Sequence, residues 1–152
     1  MSLTVVPWIS DILLFVVINV VNVATFFIFV SRVKWPPMVS KLAIATVLMG
    51  IPVAAIIFLN ATAGREWLYW VMPSIFVAWA VFALVVDMIL KLEFRRPRNP
   101  KILAPFLLLF YVGLGGMGVL TWRIGFAFWA ITAVTFALQF GGMAYAHRCG
   151  KG

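Results

Sequence analysis

The stretch WISDILLFVVINVVNVATFFIFVS, residues 8–31, decides the fold of this chain. Asp11 is its one charged side chain. A run of this length and character forms an apolar α-helix that is long enough to cross a bilayer, which takes about 20 residues. The rest of the chain has the same character, because 65% of the 152 residues are apolar and 11% are charged, whereas soluble domains are about 25% charged. The sequence therefore predicts an integral membrane protein.

Four further apolar runs follow, separated by short polar turns. The predicted transmembrane helices cover residues 8–31, 41–60, 67–90, 102–121 and 124–146. The last two are joined only by Trp122 and Arg123, and a link this short forces an antiparallel hairpin. We expect an all-α antiparallel bundle of five transmembrane helices with short loops, which forms a single transmembrane domain over residues 1–152. Pro52 removes one backbone donor from the second helix and favours a kink there.

Basic residues are divided unevenly between the two ends of this predicted bundle. Ten lie at one end: Arg32, Lys34, Lys41, Lys91, Arg95, Arg96, Arg98, Lys101, Arg148 and Lys151. Arg65 and Arg123 lie at the other end. Because cytoplasmic loops are enriched in Lys and Arg, we expect the N-terminus outside and the C-terminus in the cytoplasm, in a plasma or inner membrane. This asymmetry accounts for the net charge of +8 without a nucleic-acid partner.

The most basic turn, residues 91–101, lies between the third and fourth predicted helices. Its basic side chains are Lys91, Arg95, Arg96, Arg98 and Lys101. Anionic lipid headgroups attract such segments by about 1 kcal/mol per basic residue. We therefore predict contact with anionic headgroups on the cytoplasmic side, either as an ordinary consequence of the orientation or as a specific lipid site.

Polar side chains near the middle of the apolar runs are the main candidate site residues. Asn19, Asn22 and Thr25 follow one another at three-residue steps in the first helix. Two carboxamides that face lipid without partners would cost several kcal/mol, so they point towards another helix or towards water. They form either hydrogen bonds between helices, for instance with Gln139 or a threonine of the last helix, or a polar pocket or pathway.

Acidic side chains are few. Asp87 lies inside an apolar run, and Lys91 follows at i+4, the spacing that lets opposite charges meet on one helix face. It is interpreted as one half of an interfacial ion pair or, alternatively, as a proton or cation site. Asp11 and Glu66 are expected to be solvated near the outer interface, Glu66 beside Arg65.

Small residues predict where the helices pack closely, because helices in lipid associate through close contacts at such residues. The predicted packing positions are Gly113, Gly115, Gly116 and Gly118 in the fourth helix and Gly125 and Gly142 in the fifth. The fifth-helix glycines lie on one stripe with Phe128, Thr132, Thr135, Gln139 and Ala146, and this stripe is expected to face protein. The glycines of the fourth helix form a packing face or, alternatively, a hinge that lines a cavity. Their G-x-G-x-x-G spacing is not a dinucleotide motif, since no strand precedes it.

Residue types needed for catalysis are scarce. His147 is the one histidine and Cys149 the one cysteine, and a zinc site at this pair would need at least two more ligands that no nearby motif supplies. Four carboxylates in the whole chain provide no motif for holding magnesium. The sequence therefore predicts no catalytic residues, no metal and no cofactor, and we do not expect an enzyme.

The turn KWPP, residues 34–37, together with five helices and abundant tryptophan, is similar to the tryptophan-rich sensory (translocator) family. The likeness covers that turn and the helix count alone. Where the family has a longer pattern of aromatic residues and prolines, this chain continues with MVSK, residues 38–41, and an aliphatic helix. No family is assigned on this basis.

Two classes of function fit these features. The first is a small transport or permeation protein that acts as an oligomer. Its pathway residues would be Asn19, Asn22, Thr25, Asp87 and Gln139. The second is a non-catalytic protein that binds a lipid or small molecule, or an accessory subunit of a membrane complex. The asparagines near the midplane favour transport, and a bundle of five helices favours assembly as a homo-oligomer or with a membrane-complex partner.

Overall fold

The computed structural model describes residues 5–95 and 98–151, and the elements within these residues are all helical. They are α1 (Val5–Lys34), α2 (Pro36–Leu48), α3 (Gly50–Thr62), α4 (Leu68–Ala83), a π-helical segment (Leu84–Ile89), α5 (Pro100–Ile124) and α6 (Phe126–Arg148). α2 and α3 together form one long apolar span, and the π-helical segment continues α4. The described residues therefore contain five helices long and apolar enough to cross a membrane, and the five predicted helices are confirmed.

Two of the connections are shorter than the sequence predicts. α2 begins at Pro36, inside the expected turn. Proline suits the first position of a helix because the backbone N–H groups there have no partner within the helix, and proline has no such group. Trp35 alone therefore separates α1 from α2. Gly125 alone separates α5 from α6, and Trp122 and Arg123 belong to the end of α5. Each one-residue link places its two helices side by side and antiparallel.

The second span is interrupted at Met49, between α2 and α3. Pro52 is the cause, since it has no N–H to donate to the carbonyl of Leu48, and its ring crowds that carbonyl. Leu48 is the last residue of α2. The kink predicted from Pro52 is therefore seen as a break in the helix about one turn before Pro52, next to the Leu48 carbonyl that lacks its hydrogen-bond partner.

The five spans pack in a ring that follows the order of the chain. α1 packs on α2 and α3, α3 on α4, α4 on α5 and α5 on α6, and α6 closes the ring against α1. The interface between α1 and α6 is the most extensive one. Because consecutive spans alternate in direction, α1 and α6 run parallel. We call the end of the bundle that carries Lys34, Arg95 and Arg148 the basic end, and the other the opposite end.

Aromatic side chains fill the contact between α4 and α5. The Trp79 ring lies 5.1 Å from Phe76, 5.7 Å from Phe106 and 4.7 Å from Phe110, measured between centroids. The indole N–H of Trp79 has no hydrogen-bond partner among the described residues. All four side chains are buried, so this aromatic cluster forms the part of the core between α4 and α5.

α4 and α5 also approach each other closely at two glycines. A Cβ added at Gly113 would lie 2.7 Å from the backbone nitrogen of Phe76, and one added at Gly116 would lie 2.5 Å from the sulfur of Met72. Gly115, between them, has no neighbouring atom within 4 Å of such a Cβ. The face of α5 that carries Gly113 and Gly116 therefore packs closely against α4, and Gly115 lies on another face of α5.

The remaining predicted packing glycines differ in their surroundings. At Gly142 an added Cβ would lie 2.9 Å from the Phe26 ring, so α6 approaches α1 closely there. At Gly118 it would make an ordinary contact of 3.7 Å with Ile18. Gly125 forms the link between α5 and α6 rather than a helix contact.

An ionic cluster holds the opposite end together. Arg65 donates to Oδ1 of Asp11 at 2.5 Å, and its guanidinium lies 3.5 Å from the centroid of the Tyr69 ring. Ser10 donates to Oδ1 of Asn60 at 2.8 Å, and Nδ2 of Asn60 donates to the Tyr69 carbonyl at 2.9 Å. The cluster therefore ties the start of α1 to the end of α3 and the start of α4.

This cluster differs from the solvated carboxylates that the sequence predicts. Asp11 is paired with Arg65, and their side chains are only 18% and 16% exposed. Glu66 pairs with Arg123 rather than with Arg65. The sequence interpretation of Asp11 as solvated was wrong because its partner lies 54 residues away, beyond the reach of any local spacing rule.

Candidate functional site

A row of polar side chains joins α1 to α6. We call it the polar row, and its members are Asn19, Asn22, Thr132, Thr135 and Gln139. Asn19 bonds to Thr132, and Asn22 bonds to Thr135, each across an offset of 113 residues. A constant offset requires helices that run parallel. The helical stripe predicted on the last helix supplies the α6 members, and the buried residues of α6 belong to that stripe.

The hydrogen bonds of the polar row are short and connected. Nδ2 of Asn22 donates to Thr135 Oγ1 at 2.9 Å, and Thr135 Oγ1 donates to Asn19 Oδ1 at 2.7 Å. Nδ2 of Asn19 donates to Thr132 Oγ1 at 3.2 Å and to the Phe15 carbonyl at 2.8 Å. Both asparagines are therefore bonded across the interface, as the interpretation of them as links between helices expects.

Two members of the row keep polar atoms without partners. These atoms are Oδ1 of Asn22 and both Oε1 and Nε2 of Gln139, and neither residue has exposed surface. The Tyr111 hydroxyl interacts with the Gln139 amide, at a geometry outside the normal range for a hydrogen bond. A buried polar group left unpaired costs about 1–3 kcal/mol. Among the described residues, these three atoms and the indole nitrogen of Trp79 are the buried side-chain polar atoms without partners. Asn22 and Gln139 are the members of the row nearest the basic end.

Apolar contacts close the polar row at both ends. Towards the opposite end, Phe15 and Phe128 meet edge to face with 4.9 Å between ring centroids. Towards the basic end, Phe26 fills the space that Gly142 leaves. The row is therefore a polar segment enclosed by aromatic side chains along the α1–α6 interface.

Two shallow grooves flank the row on the outer surface of the bundle. The α1 groove has a volume of about 400 Å³ and is lined by Asn19, Val20, Val23, Ala24 and Phe27. The α6 groove has a volume of about 280 Å³ and is lined by Ala130, Ile131, Val134 and Thr135. Because α1 and α6 are parallel, Val20, which follows Asn19, and Val134, which precedes Thr135, lie on the same side of the α1–α6 interface. The half-buried Asn19 and Thr135 thus form a polar margin between two apolar grooves.

Two of the residues predicted as pathway members lie elsewhere. Thr25 is buried and donates to the carbonyl of Val21 in its own helix. Asp87 lies in the π-helical segment at the basic end, where its two oxygens accept from Arg95 at 2.8 and 2.7 Å. The ion pair predicted with Lys91 is therefore replaced by one with Arg95. The π-helical turn changes the helical period that the i+4 argument assumes, and Lys91 itself has a φ of 49° outside the helix.

The basic side chains of residues 91–101 surround this ion pair. The guanidinium of Arg95 lies 4.4 Å from the centroid of the Phe94 ring and 5.0 Å from that of Phe106. These contacts hold it against the first turns of α5. Lys91, Arg98 and Lys101 are exposed. Arg96 lies outside the described residues.

Comparisons of the chain with protein-family models, with curated proteins and with solved structures found no match. Residues 5–95 and 98–151 contain no group of three or more His, Cys, Asp or Glu side chains placed to hold a metal ion.

Proposed function

We propose that this protein is an integral protein of the cell membrane, with its N-terminus outside and its C-terminus in the cytoplasm. The proposal is supported by five spans long and apolar enough to cross a bilayer. It is also supported by the charge difference between the ends, because Lys and Arg are enriched in cytoplasmic loops. In this orientation the basic end is cytoplasmic.

The orientation predicts that Arg98→Cys and Thr62→Cys, each made in a Cys149→Ser background, react from opposite sides of the membrane. Both positions are exposed and lie at different ends of the bundle. A membrane-impermeant maleimide added to intact cells should label Thr62→Cys and leave Arg98→Cys unlabelled until the membrane is opened. Labelling of Arg98→Cys in intact cells would contradict the proposed orientation.

We propose that the protein is a non-catalytic binding protein whose ligand occupies the basic-end side of the polar row. The observation that carries this proposal is the set of three buried amide atoms without partners on Asn22 and Gln139. In a bilayer no water is at hand to pair such atoms, so a molecule that bonds to them is strongly favoured. On the outer surface, Asn19 lines one groove and Thr135 lines the other, and these two residues bond to each other.

Transport by an oligomer is a second candidate function. It is favoured by the extent of the row, which on α6 runs from Thr132 to Gln139, or about 10 Å along the helix axis. A second copy packed over the grooves would enclose the polar margin and extend the row into a path. Flux of a bound solute across liposomes supports transport, whereas binding without flux supports the binding function alone.

We further propose that anionic lipid headgroups are partners of the basic end. Lys91, Arg98 and Lys101 are exposed beside the ends of α4 and α5, at the depth where headgroups lie in the proposed orientation. Each contributes about 1 kcal/mol of attraction to an anionic surface. Arg95 forms an ion pair with Asp87, so it is less available for binding a headgroup than these three side chains.

The experiment that tests the binding function is an experimental density map of the protein in its native lipids. A map that resolves Asn22 and Gln139 shows whether a non-protein molecule bonds to their three free atoms or whether the two amides bond to each other.

A further inference from the structure

We infer that Arg95 leaves Asp87 to bind the phosphate group of an anionic lipid, and that Lys91 then takes its place beside Asp87. The exchange of partners converts the π-helical segment (Leu84–Ile89) into ordinary α-helix. It rests on the proposal that anionic headgroups are partners of the basic end, and it makes Arg95 the side chain that responds to them.

The backbone at the end of the third span has two alternative sets of hydrogen bonds. In the structure, the Leu90 N–H donates to the Val85 carbonyl at 2.8 Å, and the Leu92 N–H donates to the Val86 carbonyl at 3.0 Å. The first of these bonds spans five residues, as in a π-helix. In a continuous α-helix Leu90 donates to Val86 instead, and the residues that follow donate to the next carbonyls in turn. The change of form therefore exchanges backbone hydrogen bonds rather than losing them.

Lys91 is under backbone strain in the observed form and not in the α-helical one. Its φ of 49° is in the left-handed region, which is unfavourable for a residue with a side chain. Glycine is the usual residue at such a position after a helix. In a continuous α-helix Lys91 has an ordinary negative φ, and its side chain lies one turn after Asp87 on the same face. The α-helical form therefore relieves the strain and gives Asp87 a second possible partner.

The ion pair between Asp87 and Arg95 holds the observed form. The two carboxylate oxygens of Asp87 accept from Arg95 at 2.8 and 2.7 Å, and a double contact of this kind is stronger than one with an ammonium group. The side chain of Arg95 is 43% exposed and that of Asp87 is 23% exposed. Arg95 therefore stays with Asp87 until another anion arrives, and its guanidinium can be reached from outside.

A lipid phosphate is the anion that can replace Asp87. Phosphate oxygens accept from a guanidinium with the same double geometry as a carboxylate. When Arg95 turns to the phosphate, Asp87 is left as an unpaired carboxylate next to an anionic surface, which is unfavourable unless Lys91 pairs with it. Lys91 reaches Asp87 only in the α-helical form. Because a ligand shifts an equilibrium towards the form that it binds more tightly, the anionic headgroup favours the α-helix.

Solid-state NMR of the full-length protein in vesicles tests this exchange. The chain has two aspartates, and both pair with arginine in the structure, Asp11 with Arg65 and Asp87 with Arg95. With ¹³C in the aspartate carboxylates and ¹⁵N in the lysine side chains, a contact within about 4 Å between the two labels reports the exchange. We expect it in phosphatidylglycerol vesicles. We expect none in phosphatidylcholine, whose headgroup has no net charge.

Variants of two lysines at the basic end show which one makes the contact. Lys91→Gln should lose the contact in phosphatidylglycerol, and Lys34→Gln should keep it. Lys91→Gly should also lose it and should raise Tm, because glycine suits the positive φ of the observed form. A second sample, with ¹⁵N in the arginine guanidinium groups, reports their distance from lipid ³¹P and so measures headgroup binding separately.

The outcomes separate the exchange from the proposed headgroup partner. Contact between arginine and lipid ³¹P in phosphatidylglycerol, without contact between lysine and aspartate, would overturn the exchange and support the headgroup partner. Absence of both contacts would overturn both. A lysine–aspartate contact that is equal in the two lipids, or that survives in Lys91→Gln, would overturn the exchange. The same contact in phosphatidylcholine after addition of inorganic phosphate would overturn the lipid as the source of the phosphate group.

Discussion

Gly113→Ala is expected to lower the free energy of unfolding by about 1–3 kcal/mol, the usual cost of inserting a group into packed space. The added methyl group would lie 2.7 Å from the backbone nitrogen and 2.9 Å from the Cα of Phe76. Backbone atoms cannot swing aside as a flexible side chain does, so α4 itself must move. Trp79 and Phe110 pack at this contact, and the aromatic cluster would loosen with it. A drop in Tm followed by tryptophan fluorescence in mild detergent measures the effect.

Gly115→Ala is the control, two residues along the same helix. No atom lies within 4 Å of its added Cβ, and alanine is favoured over glycine inside a helix by up to about 1 kcal/mol. Its Tm should stay the same or rise slightly, so of the two variants only Gly113→Ala should lower Tm. Equal shifts would contradict the packing of α5 against α4 described above.

Thr135→Val is expected to destabilise the α1–α6 interface by about 2 kcal/mol. Valine has nearly the shape of threonine but no hydroxyl, so Nδ2 of Asn22 and Oδ1 of Asn19 both lose their partner. Each stranded amide atom costs about 1–3 kcal/mol, and hydrogen bonds between membrane helices contribute up to about 1.7 kcal/mol. Tm of the purified variant, compared with the wild-type protein, reports the loss.

Thr135→Ser keeps the hydroxyl and should retain most of the stability that Thr135→Val loses. The variant Asn19→Leu/Asn22→Leu removes the amides on the other side of the interface and should also cost less than Thr135→Val, because it strands fewer buried polar atoms. If Thr135→Val melted like Thr135→Ser, the hydrogen bonds of the row would carry no measurable stability.

The apolar runs of the sequence were sufficient to predict the five spans, because a run of about 20 apolar residues matches the length that a helix needs to cross a bilayer. Their exact ends were not predictable from polarity alone. Pro36 and Pro37 look like part of a turn but begin α2. The spacing of the sequence predicts that Asp87 pairs with Lys91. The π-helical segment changes the helical period there, and Asp87 pairs with Arg95 instead.

The polar row was predictable in part. The three-residue steps of Asn19 and Asn22 and the stripe on α6 indicate which faces are buried, since helical spacing places them on single faces. The pairing of those faces across 113 residues depends on how the ring of helices closes, which no local pattern encodes. The partner of Asp11 was not predictable for the same reason, since it also depends on how the helices pack. The free amide atoms on Asn22 and Gln139 follow only from that pairing.

The most direct test of the binding site is a cryo-electron microscopy map of the protein in nanodiscs of its native lipids, with an antibody fragment bound to give the small protein sufficient mass. We expect non-protein density beside Oδ1 of Asn22 and the amide of Gln139, at the hydrogen-bond distance of about 2.7–3.2 Å. A map in which Nε2 of Gln139 donates directly to Oδ1 of Asn22, with no other density, would contradict the account and make the row a link between helices only.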